Sequence, residues 1–232
     1  MREVRQLAKV KAVLFDLHKT LVYQENRVSE MELSDYLFSR GYEVSPTQLE
    51  AAWSWVAFID YPKYGYRNWR SYLRRIFWRL KVRVDDETLD KIENAVESKP
   101  YKLCPDAADA VRRAKEHGFK TAIVTTIAHF QFEKAIKPIR NCFDFIMTGY
   151  EAGCDKSNPK MYKKVLEALH VKPQEAVMIG DDLFVDIALP KRLGIRTILL
   201  DRERGCDGKL VDAFVYDLRE AVEMVINRLD KT

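Results

Sequence analysis

The sequence predicts an α/β protein: a parallel β-sheet covered by helices and interrupted by a helical insertion. Three observations carry that reading. Short, apolar, β-prone runs recur along the chain and break off at polar residues. Segments with apolar residues at helical spacing lie between them, and such alternation builds a parallel sheet with helices on both faces. One long stretch, residues 22–101, leaves the alternation and is helix-prone and crowded with aromatic residues. At 232 residues, 47% of them hydrophobic, the chain is long enough for a core and a smaller inserted unit.

In chain order, residues 10–15 (VKAVLF) read as a buried first strand ending at Asp16. Within the insertion, 30–39, 46–58, 69–80 and 86–97 each read as a helix. Residues 106–116 form a further helix that stops at Gly118, which suits the left-handed turn after a helix end. Residues 120–125 are a strand ending in two threonines, 130–139 a helix, and 144–147 a short strand. Ser157 or Asn158 caps a helix that opens on Pro159 and runs to Leu169. Residues 176–179 are a strand ending in Gly180, Asp181 and Asp182. Pro190 delays the helix expected after it. Residues 197–200 and 213–215 supply the last strands and 218–229 the last helix. The core is thus assigned to residues 1–21 and 102–232, and the insertion to 22–101.

Composition narrows the function. No stretch approaches the roughly 20 apolar residues of a membrane helix, and residues 1–9 lack the apolar run of a secretion signal, so a cytoplasmic protein is expected. Cys104, Cys142, Cys154 and Cys206 form no CxxC pair or zinc-spaced cluster and read as reduced thiols. The net charge of +4 suits anionic substrates without arguing for nucleic acid.

Open parallel sheets bind ligands beyond the carboxyl ends of their strands. Asp16 and Thr125 end strands, Lys156 follows the strand at 144–147, and Asp181, Asp182 and Asp186 follow the strand at 176–179. The topology therefore gathers a carboxylate, a hydroxyl, an ammonium and an acidic cluster at one edge.

These residues resemble the motifs of the haloacid dehalogenase-like hydrolase superfamily: 15–21 (FDLHKTL), 123–126 (IVTT), 153–159 (GCDKSNP) and 179–186 (IGDDLFVD). The four occur in order, each at a strand, and the insertion lies where that superfamily places a helical cap. The resemblance implies a Rossmann-like core with an α-helical cap, and magnesium as cofactor. Asp16 would attack a small phosphorylated substrate and form an aspartyl-phosphate, since covalent catalysis by a carboxylate divides one hard displacement into two easier ones. Thr125 would donate to the transferring phosphoryl group and Lys156 would neutralise it. Asp16, Asp181 and the backbone carbonyl of His18 would hold the metal, with Asp182 and Asp186 behind them orienting water or Lys156. Thr20 and Thr126 are candidate substrate contacts, although Thr20 equally suits a role within its own turn, and Asp186 a helix cap.

The chain departs from the pattern at two places. Phosphatases of this superfamily carry a second aspartate, then glycine, where this chain has His18 and Lys19. His18, with an ordinary pKa near 6.5, is suited to proton transfer near neutrality, and a spectator role is the alternative. The dehalogenase branch also lacks that aspartate but loses the metal-binding carboxylate, which this chain keeps as Asp181. A metal-free 2-haloacid dehalogenase and a weakly active member that binds a phosphorylated ligand or partner protein are the competing readings. Arg70, Arg74, Arg75 and Arg79, interleaved with Trp69, Tyr72 and Trp78, read first as an amphipathic helix with solvated arginines, and second as an anion or nucleic-acid surface. His129 reads as a surface residue or one reaching the site mouth. A monomer or a homodimer fits equally.

Overall fold

The computed structural model describes residues 8–205, 211 and 213–229. Strand β1 (Ala12–Phe15) leads into a two-residue strand β2 (Val22–Tyr23). Helices α1 (Glu30–Ser39), α2 (Pro46–Trp55), α3 (Tyr61–Tyr64), α4 (Trp69–Leu80) and α5 (Asp86–Glu97) follow, and β3 (Lys102–Leu103) returns antiparallel to β2. The chain then alternates: α6 (Ala107–Glu116), β4 (Lys120–Val124), α7 (His129–Ile136), β5 (Phe145–Met147), α8 (Gly149–Ala152), α9 (Pro159–Leu169), β6 (Ala176–Gly180), α10 (Leu189–Arg192), β7 (Arg196–Leu200), β8 (Phe214–Val215) and α11 (Leu218–Met224).

The core is a six-stranded sheet in the order β5-β4-β1-β6-β7-β8, with every adjacent pair parallel. Phe15 at the end of β1 stands opposite both Ile123 and Ile179. The chain order reverses direction on either side of β1, so the crevice beyond Phe15 is the place where such sheets bind ligands. β1 is buried on both faces, as its unbroken apolar run requires. Successive side chains point to opposite faces. Val13 and Phe15 pack with Val111, Phe132 and Val222, whereas Ala12 and Leu14 pack with Tyr162, Val165 and Met178.

Residues of α1, α2, α4 and α5 gather a third apolar cluster that includes Leu37, Leu49, Tyr72, Leu73, Ile76 and Ile92. Their helices start where capping chemistry places them: Ser29 with Glu32 and Ser45 with Gln48 form reciprocal capping boxes, and Asn68 and Asp85 accept from the first-turn amides of α4 and α5. In α4, Tyr72 and Phe77 turn inward and Arg70 turns outward to Asp86 and Glu93, which is the amphipathic arrangement. Trp78 is the exception, 62% exposed beneath the Arg75 guanidinium. Among the contacts of these helices with the rest of the chain, the Tyr61 hydroxyl lies 3.0 Å from Thr148 Oγ1 and accepts from the His129 amide, and Trp69 and Tyr72 meet Phe130.

Several elements differ from expectation for identifiable reasons. The helix expected over 46–58 is regular only to Trp55. The chain then widens, the Tyr61 amide donating to the Val56 carbonyl five residues back, before α3. The helix expected over 130–139 is regular to Ile136 and then tightens through Lys137–Cys142, where Pro138 has no amide to continue the ladder. After Met224 the last helix widens in the same way over Val225–Leu229. The β2–β3 pair was not expected, because two residues per strand carry no period. Among the described residues no helix is long and apolar enough to cross a membrane, and Cys104, Cys142 and Cys154 are free thiols. Cys206 lies outside the described residues.

Candidate active site

The Asp16 amide donates to the Ile179 carbonyl at 2.9 Å, so the chain leaves β1 against the end of β6. Lys156 is delivered from the other side, between α8 and α9. Gly153, at φ +68, turns the chain out of α8, and Asn158 caps α9. Lys156 is 4% exposed, and its ammonium bridges two carboxylates, bonding Asp16 Oδ1 and lying 2.5 Å from Asp186 Oδ1. Asp181 follows Gly180 directly. A side chain at Gly180 would collide with the Asp186 carboxylate, so glycine there lets Asp186 fold back toward the strand end.

Oxygens of Asp16, Asp181 and Asp186 all lie within 4.8 Å of one another. Three hard carboxylate donors in that space match the chemistry of magnesium, which takes oxygen ligands and completes its shell with water or phosphate. Asp182 does different work. It is exposed, and its carboxylate accepts from the amides of Phe184 and Val185 at 2.7 and 2.9 Å, capping the turn. The helix-capping role considered for Asp186 thus belongs to Asp182, and Asp186 is the one that reaches Lys156.

Burial raises the Asp181 carboxyl to about 6, and the neighbouring Asp16 charge adds to the shift against Lys156. Burial also raises Asp186, opposed by Lys156 and reinforced by Asp16. Burial alone would lower the Lys156 ammonium, but Asp16 and Asp186 outweigh it and hold the lysine charged. His18 titrates below its usual value, chiefly through desolvation. Asp16 opposes that shift, while Lys19 and Arg27 add to it. Its ring meets Tyr101 edge-on, centroids 5.7 Å apart.

Asp16, His18, Thr126, Lys156, Asp181, Asp182 and Asp186 all line one cavity of about 620 Å³, together with Lys19 and Phe58. Two expected contacts are not brought to its wall. Thr125 is 2% exposed, and its hydroxyl accepts from the Ile127 amide. Thr20 is fully buried, and its hydroxyl has no partner among the described residues. His129 opens α7, its amide donating to the Tyr61 hydroxyl, and is also off this wall. Phe58, from the widened turn of the insertion, reaches the cavity unannounced. An aromatic in an aromatic-rich helix carries no sequence signal of its own.

The family model for haloacid dehalogenase-like hydrolases matches residues 10–194, a span that includes all of these residues. The chain belongs to the haloacid dehalogenase-like hydrolases. Among its relatives is the glyceraldehyde 3-phosphate phosphatase of Pyrococcus furiosus, 26% identical over 197 residues that cover 83% of this chain and 81% of that protein. A HAD phosphatase from Thermococcus onnurineus shares the fold at TM-score 0.63 and 22% identity, covering 93% of this chain and 98% of its own. The 2-haloacid dehalogenase of Pseudomonas syringae pv. Tomato DC3000 shares it at TM-score 0.67 and 18% identity, over 94% and 99% of the two chains. Fold likeness therefore spans both branches of the family, and the choice between them falls to the side chains at the strand ends.

Proposed function

We propose that this hydrolase is a magnesium-dependent phosphatase of small phosphorylated metabolites, acting through Asp16. The observation that carries the reading is the convergence of Asp16, Asp181 and Asp186 oxygens beside a buried Lys156. Asp16 and Asp181 repel one another across the site, and the metal-free dehalogenase branch, by resemblance, lacks the Asp181 carboxylate. A bound cation relieves that repulsion. Relatives that are phosphatases support the same choice.

Asp16, Asp181 and Asp186 are the residues that would hold magnesium, with the His18 carbonyl as a further candidate. When bound, the metal supplies the charge that lets a carboxylate approach a phosphate dianion. An Asp16 carboxylate oxygen forms a bond to phosphorus while the bond from phosphorus to the ester oxygen breaks. Lys156 stays charged and offsets the transferring oxygens. His18 in its protonated form gives its proton to the departing alkoxide. It then takes one from water as that water attacks phosphorus, which releases inorganic phosphate and restores Asp16. A general acid contributes ~10²–10⁴-fold, so its effect should be largest for alkyl esters.

The test is phosphate release from a panel of sugar, triose and aryl phosphates, with magnesium and with excess chelator, alongside chloride release from 2-chloropropionate. Magnesium-dependent phosphate release lost in Asp16→Asn is the expected result. Chloride release in chelator without phosphate release would replace this reading with the dehalogenase one.

A further inference from the structure

The turn that carries His18 is built under strain. Residues 17–22 close on themselves: the amides of Leu21 and Val22 both donate to the Leu17 carbonyl at 2.8 Å, and the Lys19 amide donates to the Val22 carbonyl at 2.7 Å. Closing the turn puts Lys19 at φ +62, in the left-handed region that a side chain resists and glycine enters freely. Such a conformation persists only where the surroundings over-determine it.

One side chain from the far end of the chain does so. Arg202, just after β7, donates through Nε to the Lys19 carbonyl and through Nη2 to the Thr20 carbonyl, both at 2.8 Å. The other edge of its guanidinium makes a two-pronged pair with Asp106, Nη1 to Oδ2 at 2.9 Å and Nη2 to Oδ1 at 2.8 Å. Asp106 is 3% exposed and accepts in addition from the Leu218 amide at 2.8 Å. The arginine is thereby held in one plane by a carboxylate that is itself fixed between α6 and α11. The Leu21 carbonyl, next along the turn, accepts from Cys104 at 2.8 Å. Three consecutive carbonyls after His18 are therefore satisfied from residues 104 and 202.

We propose that Arg202, oriented by Asp106, is a positioning residue that holds the His18 turn in its catalytic conformation. Its hydrogen bonds go to the carbonyls of Lys19 and Thr20 and to Asp106, and it acts through those carbonyls. The planar fork is essential, because an ammonium on a flexible stem cannot serve two carbonyls and a carboxylate at fixed angles. The catalytic part of this inference rests on His18 as the proton donor of the proposed phosphatase, whereas the structural part stands alone.

The two parts are read separately in Arg202→Met, Arg202→Lys and Asp106→Asn. Amide hydrogen exchange in the absence of metal reads the turn. Exchange at Leu21 and Val22 is expected to rise about tenfold or more in Arg202→Met, with β4 and β6 unchanged and Arg202→Lys intermediate. Kinetics read the catalytic consequence. In Arg202→Met, kcat on an alkyl phosphate should fall about tenfold or more while KM stays within about twofold. The fall on p-nitrophenyl phosphate should be about threefold or less, since a good leaving group needs little protonation. Lys19→Gly, which relieves the left-handed strain, should reduce the penalty of Arg202→Met in a double-mutant cycle. Unchanged turn exchange in a folded Arg202→Met, or in Asp106→Asn should the former not fold, overturns the proposal. So do equal losses of kcat on both esters. If the wild type hydrolyses neither ester, the phosphatase reading falls and the exchange measurement alone decides the role of Arg202.

Discussion

Lys156 and Arg70 are both cations set among acids, yet they live in opposite environments. Lys156 is 4% exposed between Asp16 and Asp186 at the sheet edge. Arg70 lies on the outer face of α4 against Asp86, Asp90 and Glu93, whose side chains are up to 79% exposed. Burying charges costs several kcal/mol per ion, and a fold bears that cost where chemistry requires it. Exposed pairs are screened and contribute little. The difference teaches that the number of ion pairs says nothing about the candidate site, whereas a buried lysine held charged between two carboxylates marks it.

The sharpest way to break the comparison is to remove each cation. Lys156→Met leaves Asp186 buried without the charge that opposes its upward shift. Breaking a buried pair costs about 3–5 kcal/mol, so the denaturation midpoint should drop markedly. The drop should be larger at pH 8 than at pH 5, because the deprived Asp186 carboxylate ionises as pH rises. Equal losses at both pH values would show that Lys156 matters for packing rather than charge.

A smaller and opposite effect is expected at Asp181. Its folded pKa, about 6, lies above its ordinary value, so the folded state holds the extra proton and the metal-free protein loses stability as pH rises from about 4 through 6. Asp181→Asn should raise the metal-free melting temperature at pH 7.5 by about 2–4 °C and flatten that part of the pH profile. Magnesium is expected to stabilise the wild type, and Asp181→Asn should abolish that effect. A variant that melts lower without metal, or still gains from magnesium, would contradict the placement of Asp181 among the ligands.

At the other end of the scale, Arg70→Ala should move the melting temperature by no more than about 2 °C and should lose even that effect in 1 M salt. A loss as large as that of Lys156→Met would erase the distinction between the two regions.

The same contrast explains what the sequence discloses. Buried strands announce themselves, since β1, β4 and β6 are apolar runs that stop at Asp16, Thr125 and Asp181, and capped helices announce their starts at Ser29, Ser45 and Asn158. Asp16, Lys156, Asp181 and Asp186 could be nominated from sequence because they follow strand ends, which a parallel sheet brings together. The division of labour between Asp182 and Asp186 was not legible, because it depends on how the turn after Gly180 winds and which carboxylate folds back. Nor were the burial of Thr20 and the reach of Phe58 into the cavity. The pairing of Arg202 with Asp106 joins residues far apart in sequence whose types are unremarkable on a protein surface.

The central claim is that Asp16 carries the phosphoryl group. Its most direct test is acid quenching of the magnesium-loaded enzyme during turnover of p-nitrophenyl phosphate, followed by peptide mass analysis. A peptide containing Asp16 that gains one phosphoryl group, absent in Asp16→Asn and in chelator, is the predicted result. Phosphate release that continues in Asp16→Asn, with no labelled peptide in the wild type, would contradict it.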